Sequence, residues 1–195
     1  MKIINSLKKR FIYIIFKLPR FLKYYILSTC DNVKGKAKFI QPCQLNGKGE
    51  IIFSDKVIIG CSLSPFLYSG YGYIESRNKN SKIIIGDNVI INNNIVLISE
   101  GEGITISKNT LIGTNCEIYD SDFHNISIDK RISGKPSTKK VFIGENVFIG
   151  SNVKILKGVS IGNNAVISNG SIVTKNIQNN VVAGGIPAEF IKHIN

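Results

Sequence analysis

The stretch "VFIGENVFIGSNVKILKGVSIGNNAVISNGSIVTKNI", residues 141–177, places an aliphatic residue at every sixth position. An α-helix has a period of about 3.6 residues and a flat strand a period of about 2, whereas a fixed short repeat of another length is typical of a solenoid. The same spacing returns in two earlier segments, so the repeat extends well beyond this stretch. Its aliphatic positions are Ile85, Ile91, Leu97, Ile106, Ile112, Ile118, Ile143, Ile149, Ile155, Ile161, Ile167 and Val173.

Two other positions of the repeat predict an interior and a corner. The fourth residue after each aliphatic one is small or β-branched, which suits a narrow interior: Val89, Ile95, Thr110, Cys116, Val147, Val153, Val159, Ala165 and Ser171. The third residue is Asn or Gly, the types that tolerate a positive φ with least strain: Asn88, Asn94, Asn109, Asn115, Asn146, Asn152, Gly158, Asn164, Gly170 and Asn176. We therefore expect three short strands and three corners in each coil of about eighteen residues.

The repeat is interrupted in places where a loop is expected. The longest interruption separates Ile118 from Ile143 and predicts a projecting loop over about residues 119–140, which contains His124. A loop held out from a rigid scaffold is a usual place for chemistry. The tyrosine- and glycine-rich segment 66–82 is interpreted as a further exposed excursion.

Composition limits the classes of function. The chain has 195 residues, 43% of them hydrophobic, which favours one domain, here placed at residues 31–195. Its net charge of +12 indicates an anionic partner, such as a phosphorylated cofactor, a membrane surface or nucleic acid. The repeats lack a basic stripe interleaved with aromatic residues, so no nucleic acid is expected. The 4 cysteines form no CxxC pair, which favours free thiols in a reducing cytoplasm and no metal site.

Residues 1–30 form a basic amphipathic segment without an acidic residue, and we predict that it is helical. Its apolar run "FIYIIF" at residues 11–16 is far shorter than the ~20 residues that cross a bilayer. The segment "LSTC" at residues 27–30 does not fit a lipoprotein cleavage site, because Thr29 replaces a smaller residue. Two interpretations stay open. The segment docks on the main domain through Ile12, Ile15 and Phe16, or it lies on anionic lipid at the cytoplasmic face of a membrane.

The quoted stretch, followed by "NNVVAGGIPAEFIK" at residues 179–192, resembles the hexapeptide-repeat acyltransferases. Within them it is most similar to the sugar O-acetyltransferases that act on maltose, galactosides and surface polysaccharides. The resemblance implies an all-β solenoid, specifically a left-handed parallel β-helix, and a homotrimer with its active site between neighbouring subunits. It also implies acetyl-CoA as co-substrate and no metal. The segment "GGIPA" at residues 184–188 is expected to lead into a short C-terminal helix.

The resemblance also assigns roles to individual residues. His124, on the projecting loop, would remove the proton from the acceptor hydroxyl, as an imidazole with a pKa near 7 suits. Asp122 is the expected orienting group, with Asp120 as the alternative. Asn92 and Asp122 are expected to contact the acceptor. The residues expected along acetyl-CoA are Gly150, Ser151, Asn169, Thr174, Lys175 and Lys192.

The predicted function is therefore acetyl-CoA-dependent O-acetylation of a sugar hydroxyl in bacterial surface polysaccharide biosynthesis or modification, in the cytoplasm. The acceptor would be a sugar or glycan. An N-acetyltransferase of an amino-sugar nucleotide stays open as the alternative, because it shares the fold, the co-substrate and the histidine base. A zinc-dependent carbonic anhydrase on the same coil is excluded, because its metal needs three histidines and this chain has 2.

Overall fold

Parallel strands from successive turns of the chain stack into three faces around one core. The structure, a computed structural model, describes residues 7–8 and 10–194. The first face contains the first half of β3 (Glu50–Ile59), β5 (Lys82–Ile85), β8 (Ile104–Ile106), β11 (Val141–Ile143) and β14 (Ser160–Ile161). The second contains the rest of β3, β6 (Ile90–Ile91), β9 (Leu111–Ile112), β12 (Phe148–Ile149), β15 (Val166–Ile167) and β17 (Val181–Gly185). The third contains β2 (Cys43–Gly47), β4 (Gly72–Ser76), β7 (Val96–Ser99), β10 (Glu117–Tyr119), β13 (Lys154–Ile155) and β16 (Ile172–Val173). Along β3 runs β1 (Val33–Phe39), and β18 (Ala188–His193) ends the chain.

Equivalent positions of the repeat pair directly across neighbouring strands. On the first face, Ile106 pairs with both Ile85 and Ile143, and Ile143 in turn pairs with Ile161. Every aliphatic position of the repeat, from Ile85 to Val173, is at most 3% exposed. The predicted interior is thus confirmed, because stacking in register places each column of Ile and Val on the same inner side.

The predicted corners are confirmed at every position except one. The corner asparagines from Asn88 to Asn164 have φ between 56° and 62°, and Gly158 and Gly170 also have a positive φ. Asn176 was expected among them, but the final left-handed asparagine is Asn180, with φ 57°. The reason lies in the last turn, where Ile177 pairs with Ile161, 16 positions earlier, whereas earlier pairs on this face, such as Ile143 and Ile161, are 18 apart.

Two sequence expectations about secondary structure are wrong. In the part of the chain described up to residue 194, no helix follows residues 184–188. Instead, β18 turns back and pairs antiparallel with β17, covering the hydrogen-bonding edge that the last turn of a parallel ladder leaves open. The segment 66–82 is also not a simple excursion, because β4 lies within it. Its Ile74 continues the third face by pairing with Leu45 and Leu97.

The N-terminal segment is helical, as predicted, with a π-helical turn at Tyr13–Lys17 followed by helix α1 (Leu18–Ile26). Residues 1–6 and 9 of this segment lie outside the described residues. The docking interpretation does not hold for Ile15 and Phe16, which are each 50% exposed, whereas Ile12 is partly buried. The helix instead turns Arg20 and Tyr24 toward the coil, where both find partners. Within residues 7–8 and 10–194, no helix has the length and apolar character needed to cross a membrane.

Candidate active site

The loop that carries His124 spans residues 120–140, between β10 and β11, and contains one 3-10 turn at Ile128–Lys130. Its two ends are tied together. Ser121 and Thr138 form an antiparallel bridge, and the main-chain N–H of Lys139 donates to the Asp120 carbonyl at 2.8 Å. The predicted insertion is thus a projecting loop whose two ends are joined by hydrogen bonds, so its ends are held more firmly than its tip.

Asp120 holds the neighbouring corner rather than the histidine. Its carboxylate is fully buried and accepts hydrogen bonds from the Ser99 hydroxyl and from the main-chain N–H groups of Glu100, Gly101 and Gly103, at 2.7 to 3.2 Å. A carboxylate whose oxygens already accept four donors has little capacity left to orient an exposed imidazole. The structure therefore places this candidate in the scaffold and not beside His124.

His124 and Asp122 are brought together by a strained turn. The main-chain N–H of His124 donates to the Asp122 carbonyl at 2.7 Å, and Phe123 between them has φ 61°. This is a γ-turn of the rare hand, and backbone strain of this kind concentrates at functional sites. The side chains of Asp122 and His124 line the same open cavity of about 550 Å³, together with Asn125, Ile126, Arg131 and Ile132. His124 itself is exposed.

Phe123 was not identified from the sequence, yet its packing holds the turn. The Tyr119 ring meets it edge-on with centroids 5.4 Å apart, and the Arg77 guanidinium lies over its ring, 5.1 Å from the centre. Its main-chain N–H donates to the Ser121 hydroxyl at 2.9 Å. A positive φ at a bulky residue has no sequence signature, because only the tertiary contacts make it favourable.

A polar network on the third face supports this packing. Arg77 contacts Glu75 at 3.0 Å and Glu100 at 3.4 Å, and Glu100 accepts a short hydrogen bond from the Ser121 hydroxyl. The hydrogen bond with Glu75 is the main reason that the pKa of Arg77 is raised. Arg77 therefore remains a fixed positive charge behind the turn.

Lys157 is the second residue that sequence reasoning missed. Its ammonium lies 3.2 Å from Asp122 Oδ2 and 3.2 Å from the Ser137 hydroxyl, and only 19% of its side chain is exposed. The buried Asp122 Oδ2 forms no well-aligned hydrogen bond, so the contact with Lys157 is an ion pair without hydrogen-bond geometry. Lys157 belongs to the turn after β13, one coil away from the loop in space, and no pattern within the loop could have identified it.

The other predicted site residues lie at two different corners of the coil. Gly150, Ser151 and Asn169 follow strands of the second face, as does Asn92. Thr174 follows β16 on the third face, at the corner from which the His124 loop also leaves. Within one chain, Asn92 does not line the His124 cavity; its side-chain amide donates to the Ser64 hydroxyl at 2.9 Å.

The main-chain N–H groups of two residues predicted to lie along acetyl-CoA are already used within the coil. The Gly150 N–H donates to the Ile167 carbonyl, and the Ser151 N–H donates to Asn169 Oδ1, both at 2.8 Å. Gly150 can therefore offer a ligand its carbonyl, which has a second lone pair, and Ser151 can offer its carbonyl or its hydroxyl.

Basic residues near the C-terminus line a separate cavity. It measures about 420 Å³, and its walls include Lys175, Glu189, Phe190 and His193. Lys192 lies on β18 beside it and pairs with Val182. A mostly apolar cavity with an ammonium group in its wall is suited to an apolar or aromatic part of a ligand that also carries negative charge. Within the described part of the chain, no cluster of His, Cys, Asp and Glu could hold a metal ion.

Comparisons with known proteins agree with this geometry. Residues 140–175 match the family described as "Hexapeptide repeat of succinyl-transferase". The chain is 36% identical over 159 residues to the Saccharomyces cerevisiae protein named "Putative acetyltransferase YJL218W", covering 80% of this chain and 75% of that one. It is 38% identical to the galactoside O-acetyltransferase of Lactococcus lactis over 135 residues, 69% of this chain and 61% of that enzyme. A solved structure of galactoside acetyltransferase in complex with coenzyme A superposes with a TM-score of 0.55 at 30% identity, covering 83% of this chain and 66% of that one.

Proposed function

Because the chain belongs to the hexapeptide-repeat acetyltransferase family, we propose that it transfers the acetyl group of acetyl-CoA to a hydroxyl of a sugar. Two of the relatives are named galactoside acetyltransferases, one of them in complex with coenzyme A. The observation that carries the proposal is the strained turn that presents His124 beside Asp122 at an open cavity. The acetyltransferase domain comprises residues 31–195, and the acceptor belongs to a bacterial surface polysaccharide or its precursors, modified in the cytoplasm.

The chemistry needs one base. His124 takes the proton of the sugar hydroxyl as the oxygen attacks the thioester carbonyl of acetyl-CoA. The C–O bond forms, the C–S bond breaks, and the departing thiolate of CoA receives the proton that the imidazolium holds. A positioned general base of this kind contributes ~10²–10⁴-fold to the rate.

Asp122 orients that base in this proposal. It lies two residues before His124 and shares its cavity, and the Lys157 ammonium lies 3.2 Å from its Oδ2. A carboxylate held in this way can accept the Nδ1 proton of the imidazole, which leaves Nε2 to face the hydroxyl. A second role for Asp122, toward the acceptor itself, uses the oxygen that is not paired with Lys157.

The position of the remaining site residues supports a homotrimer of left-handed coils with the site between two subunits. Gly150, Ser151, Asn169 and Asn92 lie at a different corner from the His124 loop, so one chain does not bring them to the same cavity. In the proposed trimer, the second-face corner of one copy faces the loop of its neighbour. The pantetheine arm follows the column of Gly150, Ser151 and Asn169.

The anionic end of CoA then reaches the C-terminal part of the coil. Thr174 lies at the corner of the His124 loop, so in the proposed trimer it contacts the pantetheine arm from the side opposite Gly150, Ser151 and Asn169. Lys175 and Lys192 meet the phosphates as charged hydrogen-bond donors. The cavity that Lys175 lines, with Phe190 and His193 in its wall, has room for an aromatic base.

The test is turnover of acetyl-CoA with a panel of free sugars, nucleotide sugars and glycans. His124→Ala is expected to keep the melting temperature, because the side chain is exposed, and to lose at least ~10²-fold in kcat. Asp122→Asn is expected to lower kcat comparably or less by permitting the wrong tautomer. His193→Ala is the matched control, since it removes the other histidine of the chain; its kcat should stay normal even if its KM for acetyl-CoA rises.

Two results would contradict parts of this proposal. Near-normal kcat in His124→Ala would remove the histidine from the mechanism. NMR of the product locates the new acetyl group, and an amide on an amino sugar in place of an ester would assign the enzyme to N-acetylation, the alternative acceptor chemistry.

A further inference from the structure

Helix α1 docks on the coil by the side that carries Arg20, Tyr24 and the half-buried Phe21. The Arg20 guanidinium donates to the carbonyls of Leu67 and Gly70, and the Tyr24 ring stacks on Tyr71 with centroids 4.2 Å apart and 18° between the planes. Because the guanidinium is partly buried, desolvation lowers the pKa of Arg20, although its carbonyl partners keep its donors satisfied. These contacts fix which side of the helix faces outward.

The outward side is apolar along its whole length. None of the residues of Tyr13–Lys17 or α1 is buried. The exposed apolar residues recur at helical spacing and form what we call the outer stripe, each 45% to 80% exposed: Phe11, Ile14, Ile15, Leu18, Leu22, Tyr25 and Ile26. An amphipathic helix normally turns such a stripe toward a core. Here Phe11 to Leu22 of the stripe face away from the core, whereas Tyr25 and Ile26 border a cavity that they share with the coil. A continuous exposed apolar surface of this kind marks an interaction site.

The charge of this segment indicates which kind of partner binds the outer stripe. The described basic residues of this segment are Lys8, Arg10, Lys17, Arg20 and Lys23, and residues 1–30 of the sequence contain no Asp or Glu. A second copy of the same segment would bring like charges together across the contact. An anionic lipid surface instead accepts both features, with the apolar stripe in the acyl boundary and the ammonium groups at the headgroups.

We propose that the outer stripe lies in the surface of an anionic lipid bilayer and anchors the enzyme there. The helix lies in the plane of the membrane and does not cross it, in keeping with its length and its charged flanks. Arg20 and Tyr24 attach the helix to the coil at Leu67 and Tyr71. That side of the coil would therefore lie nearest the membrane. This inference does not depend on the proposed acetyl transfer.

The test is co-sedimentation of the full chain with vesicles of phosphatidylcholine alone and with added phosphatidylglycerol. The wild type should bind the anionic vesicles, and binding should weaken as salt rises because exposed charges are screened. The variant Leu18→Gln/Leu22→Gln/Ile26→Gln should lose most of this binding. The variant Arg10→Gln/Lys23→Gln should bind about thirtyfold more weakly, since each basic residue near an anionic surface strengthens binding about fivefold.

The matched control places the same substitution on exposed apolar residues outside the helix, Leu63→Gln and Ile128→Gln, which are 95% and 86% exposed. It should bind vesicles like the wild type. All variants should melt normally, because the residues of the outer stripe are exposed in the folded chain. Absence of wild-type binding to anionic vesicles would overturn the proposal. A smaller particle mass of the triple variant in sedimentation equilibrium would also overturn it, because the outer stripe would then be a contact between subunits.

Discussion

The variant Asp120→Asn tests whether the Asp120 carboxylate stabilises the fold or orients the proposed catalytic histidine. The wild-type carboxylate accepts from the Ser99 hydroxyl and from three main-chain N–H groups, and it is fully buried. In the variant, an amide nitrogen replaces one oxygen, and the favoured orientation keeps the remaining oxygen in the Oδ2 position, where the Ser99 hydroxyl and the N–H groups of Gly101 and Gly103 donate. The new NH2 group then faces the main-chain N–H of Glu100, which loses its acceptor.

The expected magnitude follows from that one orphaned donor. A buried N–H without a partner costs about 1–3 kcal/mol, so Asp120→Asn should destabilise the fold by about 2 kcal/mol. For a chain of this size, roughly 2–4 °C of melting temperature accompany each kcal/mol, which gives a fall of about 6 °C. Turnover of the folded variant, measured well below its melting point, should remain within about threefold of the wild type, since the residue does not touch the reacting atoms.

The assay is a pair of measurements on each variant: a thermal melt and single-temperature kcat with acetyl-CoA and the best acceptor. Asp129→Asn makes the same chemical change at an exposed position of the same loop and should alter neither quantity. An unchanged melting temperature together with a hundredfold loss of kcat would refute the reasoning. It would make Asp120 the orienting group that the sequence first allowed as the alternative.

Two further predictions concern the coil and its thiols. Asn164→Val should lower the melting temperature, because a β-branched residue at φ 58° costs about 1–2 kcal/mol and the substitution also removes the hydrogen bonds to Asn146 and Asn180; an unchanged melt would contradict the corner assignment. In the native protein, iodoacetamide should label Cys61 well before Cys116, as read by peptide mass spectrometry. Cys116 is buried, and burial raises the pKa of its thiol to about 11, so little thiolate forms near neutral pH; equal labelling rates would contradict this.

The repeat was predictable because its signals are local. Asn152 occupies a corner because its own φ is positive, and Ile155 points inward because it stacks on equivalent residues of the neighbouring strands. Both requirements recur every six residues, so the sequence pattern reveals both. The six-residue pattern gave wrong predictions where the structure depends on contacts outside the repeat. β18 follows β17 because an open ladder edge must be covered, and Asn180 replaces Asn176 because the last turn is shorter than the others.

The inward and outward sides of helix α1 show the same limit. The sequence correctly predicts an amphipathic helix, but the choice of docking side depends on the loop it meets. Carbonyls at Leu67 and Gly70 accept from Arg20, and Tyr71 offers a ring to Tyr24. These partners lie about 50 residues further along the chain, as the separations of 47 and 50 positions in the two Arg20 hydrogen bonds show. No periodicity within the helix could have revealed them.

At the candidate site, the sequence indicated the proposed base more readily than the residues that support it. His124 was recognisable because so few histidines occur and one of them falls in the longest interruption of the repeat. Lys157 and Phe123 were not, since the first reaches Asp122 from another turn of the coil and the second adopts a positive φ that only Tyr119 and Arg77 make tolerable. Both act by fixing where the Asp122 carboxylate and the His124 ring can be. A base presented by such a turn stays aligned only while its supports hold, so the geometry of the site depends on residues outside the loop as much as on the histidine within it.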